Sequence, residues 1–433
     1  MKKTTIIMIM LMGSYSAFSQ SKNEKFDWGQ EQNNRPNDQT GINIFEAKKS
    51  KASDYTGPSV RIGGAFALQY QAFKNKNVDT TAGTNELLKL EKNTNLPTAN
   101  LYLHSQLAMG VRLMLTTYLS SRHHPEPYVK DGYLQVDSLD FIKKGFLSGL
   151  MQDLTLRVGH METNYGDAHL RRSDNGNALY NPFVGNLILD SFTTEVGGQV
   201  LYRKSGFLVM VGLTNGKLNQ DVISPDKTEP AFIGKIGYDN QLNSDLRVRV
   251  TGSAYTLGKA KSIYLYSGDR AGARYYCVMQ TVTEGCSKSN FRTGRWNPSF
   301  KGNVQSFMVN TFVKWTGLEF FATIEQTEGG DSTASTVEKR KWTQLAAELL
   351  YRFGENEKFY LGARYNVAKG KLVNTDAKEV SIDRIQAVAG WFLTKNIVMK
   401  LEYVQQNYKD FDSASKYNEG QFNGIIVESS ILF

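Results

Sequence analysis

Segments in which apolar and polar residues alternate recur along the whole chain, and the connections between them are short and long in turn. The alternating segments begin at Ser59–Phe73, Thr98–Met109 and Val111–Ser121 and close at Asn396–Tyr408 and Phe422–Phe433. There are about sixteen, an even number in the range of closed antiparallel barrels. Short connections include Gly110, Lys204-Ser205, Asp239–Asn243, Thr316, Gly354–Asn356 and Thr394-Lys395; long ones include Lys74–Pro97, Asn164–Thr193, Gly216–Pro230, Gly258–Gly302 and Lys409–Gln421. Two depart from the rule: His123–Pro127 is short on the long side, and Leu139–Gln152 is long on the short side. An up-and-down barrel with tight turns at one end and extended loops at the other predicts this asymmetry. A sandwich with Greek-key connections does not.

The period of two assigns faces. Leu246, Val248, Val250, Gly252 and Ala254 form one row, and Arg247, Arg249, Thr251 and Ser253 the other. Val111, Leu113, Leu115 and Thr117 likewise oppose Arg112, Met114, Thr116 and Tyr118. A charged side chain facing lipid near the midplane costs roughly 2–4 kcal/mol, so the charged rows are expected to face the lumen. The expected fold class is therefore all-β: a transmembrane up-and-down antiparallel barrel over 59–433, with long extracellular loops.

Both ends of the chain agree. Lys2 and Lys3 precede the apolar run Ile6–Met12, and Ala17-Phe18-Ser19 gives a small-x-small site before Gln20, the pattern of a signal peptide over 1–19. No later stretch approaches the length of a membrane helix. Mean hydropathy is low, −0.40, although aromatics make up 12% of residues, as expected if half of each strand faces a wet lumen. The last strand carries Ile425, Val427, Ser429, Ile431 and Phe433 on one face and Glu428 on the other. A strand ending on a carboxyl-terminal Phe resembles the insertion signal of bacterial outer-membrane barrels, which implies Phe433 as the residue met by the barrel-assembly machinery. The expected location is the outer membrane of a Gram-negative bacterium.

The inward rows place Arg61, Arg112, Arg157, Arg203, Arg247, Arg249, Arg364 and Arg384 along the pore, with Lys235, Arg352 and Lys400. Asp137, Glu319, Glu325, Glu348, Glu402 and Glu428 oppose them. Many of these arginines are expected to pair with carboxylates across neighbouring strands. The summed lining is net positive and lowers the barrier for anions. The formal charge of +9 falls to about +7 once Lys2 and Lys3 leave with the signal.

The segment Asn164–Asp190 reads N-Y-G-D-A-H-L-R-R-S-D-N-G-N-A-L-Y-N-P-F-V-G-N-L-I-L-D and is the third outer loop. With its flanking strands it resembles the porins of Bacteroidetes bacteria, similar to the phosphate-selective porin O/P group. The resemblance covers the whole chain in architecture, with the motif-level match concentrated in this loop. It implies a loop, about 164–193, that folds inward and narrows the barrel, placing Asp167, His169, Arg171, Arg172 and Asp174 at the constriction. Arg171-Arg172 beside Asp167 and Asp174 would set up a transverse field, focused by a narrow low-dielectric opening. The alternative is a loop packed on the wall, anchored by Tyr180-Asn181-Pro182-Phe183; the two are compatible. The dense Lys or Arg ladder of a phosphate-selective pore is absent. A homotrimer is carried over from porins at large.

The longest loop, Gly258–Gly302, is basic and holds both cysteines, Cys277 and Cys286. Two cysteines so close in an exported loop predict a local disulfide tying an exposed hairpin. Its charge suits anions at the mouth or lipopolysaccharide phosphates. Residues 20–58 read as a polar periplasmic segment with isolated apolar points at Phe26, Trp28, Ile42, Ile44 and Phe45, either a tail or docked on the rim. Chemistry is thinly represented. His123-His124-Pro125-Glu126-Pro127 lacks a helix or hairpin template for a metal, and His104 and His160 have no Ser or Asp companion at a signature spacing. No cofactor, metal or nucleic-acid module is expected. The reading is a porin passing small anionic or polar solutes, not an enzyme. A lumen-blocked barrel serving as a docking scaffold and a barrel hydrolase are the alternatives.

Overall fold

The computed structural model describes residues 32–49, 55–95, 97–120, 128–218, 228–267, 274–286, 293–331, 338–373, 375–376 and 378–433. The signal segment and the pair His123-His124 lie outside them. Among the described residues the sheet has 17 strands. Setting aside the two-residue Asn93–Thr94 leaves the 16 staves of a closed antiparallel barrel. Its shortest stave is Phe207–Thr214, and its longest is Ser59–Lys76.

Each stave pairs with the next in sequence, and closure comes from the first against the last, in register from Ala65 with Leu432 to Lys76 with Gln421. Two further backbone bonds extend this seam, Gly64 N to Phe433 O and Phe433 N to Gly64 O, both 2.9 Å. Closure leaves no sheet edge unpaired, the requirement for strands in lipid.

Exposure alternates as the period of two requires. On Phe207–Thr214, Phe207 is 63% and Leu213 60% exposed, while Leu208 and Met210 between them are buried. On Ser59–Lys76 the outward Val60, Ile62, Phe66, Leu68 and Tyr70 are likewise exposed and apolar, and among the described residues no helix is long and apolar enough to cross a membrane. Near the short-turn end Tyr351, Phe353, Phe359 and Trp391 stack in a continuous outer row at 5.8–6.1 Å between centroids. Aromatic rings at that level form the girdle of a membrane barrel.

The inward face departs from expectation. A wet lumen would leave its side chains accessible, yet on Ile397–Lys409 the inward Val398, Lys400, Glu402, Val404 and Gln406 are all buried. Chain folded in from both ends of the barrel replaces the water: the 163–194 stretch, parts of 258–302, and residues 32–49. The low mean hydropathy therefore reflects polar side chains that bond to inserted backbone as well as any that meet water.

Candidate functional site in the barrel lumen

The inward third loop crosses the lumen and meets the wall on opposite sides. Near its start Asp167 accepts from Arg249 Nε and Nη2, both 2.8 Å, and from Thr251 Oγ1 at 2.7 Å. Lys235 Nζ stands 3.2 Å from the same carboxylate. Further along, Asn175 Nδ2 donates to Ala99 O at 2.7 Å and Gly176 N to Asn100 Oδ1 at 2.9 Å. On the far wall Val184 N donates to Glu402 Oε2, Ile188 N to Asn366 Oδ1 and Leu189 N to Gln344 Oε1, at 2.7–2.8 Å. Lys400 Nζ donates to Ala178 O at 2.6 Å. A buried loop must place its backbone polar groups somewhere, and here the polar inward row supplies the partners. At Gly176 an added Cβ would lie 2.6 Å from Ala99 Cα and 2.8 Å from Ala65 O, so the loop backbone lies directly against the wall.

The five residues expected at the constriction all lie in this inserted segment, but in two groups. Asp167 belongs to the Arg249–Lys235 cluster. Arg172 forms a two-pronged pair with Asp190, both arms 2.8 Å, and reaches Asp174 at 3.2 Å. Its guanidinium also covers the Phe192 ring at 3.9 Å. Lys130 Nζ meets Asp174 at 3.3 Å, so that carboxylate faces two cations. Arg171 turns elsewhere, to Glu348 at 3.2 Å and to Asn43. His169 holds Glu162 through Nδ1 at 2.8 Å and Asn164 Oδ1 through Nε2 at 3.0 Å. Each of these charged groups has a specific partner: of the expected juxtapositions Arg172 does meet Asp174, while Arg171 and Asp167 pair with other residues.

Burial pushes the Asp190 carboxyl up, but Arg172 and then Arg295 push it further the other way, to about 2. Asp167 is likewise pulled well below the carboxylate range, Arg249 and Lys235 outweighing its burial. Burial lowers the His169 imidazole, and Glu162 only partly offsets it. Deep burial disfavours the imidazolium, so the short contact to Glu162 is a hydrogen bond from a neutral ring rather than an ion pair.

The eight arginines expected along the pore divide evenly. Arg112, Arg249, Arg364 and Arg384 are buried, and Arg61, Arg157, Arg203 and Arg247 are half-buried. The first group is closed off from water: Arg112 pairs with Asp137 at 2.7 Å, Arg364 with Glu348 at 2.8 Å, and Arg384 donates to Asn186 O and Gly294 O of the inserted loops. In the second group Arg247 holds Asp239 at 2.8 Å. Arg157 donates to Gln135 Oε1 at 3.0 Å, and Arg203 to the backbone oxygens of Glu46 and Ala47 at 2.5 and 2.9 Å.

Residues 32–49 form a strap across the short-turn end. Gln39 N donates to Lys395 O at 2.7 Å on one side, and Lys49 Nζ to Asp137 O and Leu154 O, both 2.7 Å, on the other. Between them Phe45 enters the lumen and packs against Phe312 at 5.4 Å and Phe321 at 6.4 Å. Glu46 follows it to Arg249 at 2.8 Å and Lys235 at 3.4 Å. Burial raises the Glu46 carboxyl, and these two cations more than reverse it, to about 2. Lys235 and Arg249 thus tie the strap to the inserted loop through Glu46 and Asp167. Cavities of about 470 Å³, walled by Arg112, Asp137 and Arg203, and about 610 Å³, walled by Arg247, Lys314 and Arg352, flank the strap.

Sequence reasoning passed over Glu46 and Phe45 as lumen residues. The signal was on the wall: Phe312, Phe321, Met308 and Tyr255 are large side chains on an inward row that an open pore would fill with polar ones. The cysteines bring a second correction. Cys277 and Cys286 are bonded to each other, but the hairpin is not simply exposed: Cys277, Val278 and Met279 are buried. Tyr275 OH donates to Glu402 Oε1 at 2.5 Å and Arg274 pairs with Glu428 at 2.9 Å, which draws this end of the loop into the mouth.

No family model and no curated protein matches the chain. Among solved structures, OprB of Pseudomonas putida is similar with a TM-score of 0.52 at 12% identity, covering 87% of this chain and 94% of that one. The trimer form of OmpT, an outer membrane protein of Vibrio cholerae, gives 0.51 at 12%, covering 87% and 100%. An anion-selective porin from Comamonas acidovorans gives 0.50 at 10%, covering 87% and 100%. At such identities the likeness is one of fold. What it defines is the fold, a closed 16-stranded antiparallel β-barrel like those of these outer-membrane proteins.

Proposed function

We propose that the chain is an outer-membrane porin for small hydrophilic solutes, with a preference for anions, whose lumen is narrowed by the 164–193 segment and strapped by residues 32–49. The observation that carries the reading is the polar, charged inward row on a closed barrel, with Arg61, Arg157, Arg203 and Arg247 keeping partial access to water. Arg157 and Arg203, both half-buried, bond to neutral oxygens, and positive charge that meets water on the wall supports the anion preference. Asp167, His169, Arg171, Arg172 and Asp174 act in this reading as the clamp that sets the constriction. The closer kinship to Bacteroidetes porins resembling the phosphate-selective O/P group, a homotrimer, and lipopolysaccharide phosphates at the basic outer loop belong to the same proposal. Planar bilayers under a salt gradient test it: stepwise conductance with a reversal potential on the anion side is expected, and a cation-side potential overturns the preference.

A second reading is favoured by the dry inward row of Ile397–Lys409: a barrel kept shut that presents its outer loops to a partner. A stoichiometric co-purifying protein together with silence in the bilayer selects it.

A further inference from the structure

The connection between Tyr128–Val136 and Leu154–Glu162 is long where other connections at its end of the barrel are tight turns. That it lies at the short-turn end is fixed by Asp137 N, which donates to Gly110 O at 2.7 Å. It is a built element. Gly145 N donates to Asp140 Oδ1 at 2.6 Å, Phe146 N to Lys143 O and Met151 N to Leu147 O at 2.9 Å, and a short helix runs over Ser148–Met151. Met151 turns inward and is buried. Lys49 of the strap grips the base by donating to Met151 O.

Its large side chains otherwise point away from the protein. Phe141 is 55%, Ile142 61%, Phe146 41%, Leu147 49% and Leu150 50% exposed. Five such side chains within ten residues exceed the scattered apolar exposure of a water-facing loop. The staves on either side carry the outward Leu134, 40% exposed, and Val158, 60%, so the patch prolongs the lipid-facing band past the end of the sheet. Lys143 and Lys144, both exposed, stand among the apolar groups.

We propose that Leu139–Gln152 is an interfacial foot that rests in the periplasm-facing leaflet, with its apolar side chains among the upper acyl chains and Lys143 and Lys144 on phospholipid phosphates. An apolar face beside basic residues is the combination that holds monotopic segments at a bilayer surface. Through Lys49 the foot also anchors one end of the strap. The inference rests on the barrel lying in a membrane, and not on its conducting.

The test uses the full-length protein with a nitroxide on Phe146→Cys, and separately on Ile142→Cys, in vesicles of phosphatidylethanolamine with phosphatidylglycerol. The native cysteines are bonded to each other and do not compete for the label. Collision with lipid-soluble oxygen is expected to exceed collision with a water-soluble nickel complex several-fold at both sites. The double variant Lys143→Glu, Lys144→Glu should shrink that ratio in the anionic vesicles. A ratio favouring nickel, meaning a water-facing loop, overturns the proposal. Low access to both probes, meaning cover by a second copy of the chain, overturns it equally. Conductance in the same vesicles reads the porin proposal separately.

Discussion

At the scale of single residues the lumen is organised around Arg249. It holds Asp167 and Glu46 at 2.8 Å each, and so joins an outer loop to the N-terminal strap through one guanidinium. Removing one partner of a buried pair leaves an uncompensated charge and costs about 3–5 kcal/mol. Asp167→Ala is therefore expected to free the start of the inserted loop while the barrel stays closed. Hydrogen exchange should rise over 164–193 and not in the staves; unchanged exchange there would remove the clamp from the account. Gly176→Val tests the other contact. Its side chain would meet backbone of Ala99 and Ala65, which cannot yield as a flexible side chain does. It should lift the loop from that wall and raise proteolysis within 164–193, whereas native-like protection would contradict the close approach.

At the scale of elements the two inserted segments share a pH dependence. The Glu46 and Asp190 carboxyls lie at about 2 in the folded protein, against ordinary values of 4.5 and 3.8. A depressed carboxylate stabilises the fold fully above its unfolded value and loses that contribution as pH falls through the folded one. The lowered imidazole of His169 acts in the same direction, because the unfolded ring takes up a proton near 6.5 before the buried one does. Strap and loop should thus hold above about pH 6, weaken below it, and release between about pH 4 and 2. Exchange or label access at Phe45 measured against pH checks this; release on raising pH would contradict it. The staves themselves were legible in the sequence because a half-buried strand writes its burial as a period of two. Thr98–Ala108 and Ile397–Lys409 fall within one residue of their expected bounds. The inward course of 164–193 came from resemblance, since a loop satisfied by wall side chains has no periodicity of its own. The strap left still less trace: Phe45 is one of a few scattered apolar points in a polar stretch, and what it packs against, Phe312 and Phe321, lies far away in the chain.

At the scale of the whole molecule, a closed barrel carries apolar residues outward, polar residues inward, and a lumen filled by chain from both ends. The fill is held to the wall by ion pairs, by loop backbone bonded to side chains, and by an apolar core in which loop residues such as Tyr165, Val184, Ile188 and Val278 pack with inward wall residues such as Tyr255, Val304 and Trp342, the smaller cluster of Phe45, Phe312 and Phe321 lying beside the strap. In the proposed porin, these segments limit flow through the barrel. Single-channel conductance in planar bilayers, compared between the full-length protein and a variant lacking residues 32–49, tests it most directly. The account predicts small stepwise openings for the full-length protein and steps several-fold larger without the strap. Equal steps in both, or none in either, would contradict it.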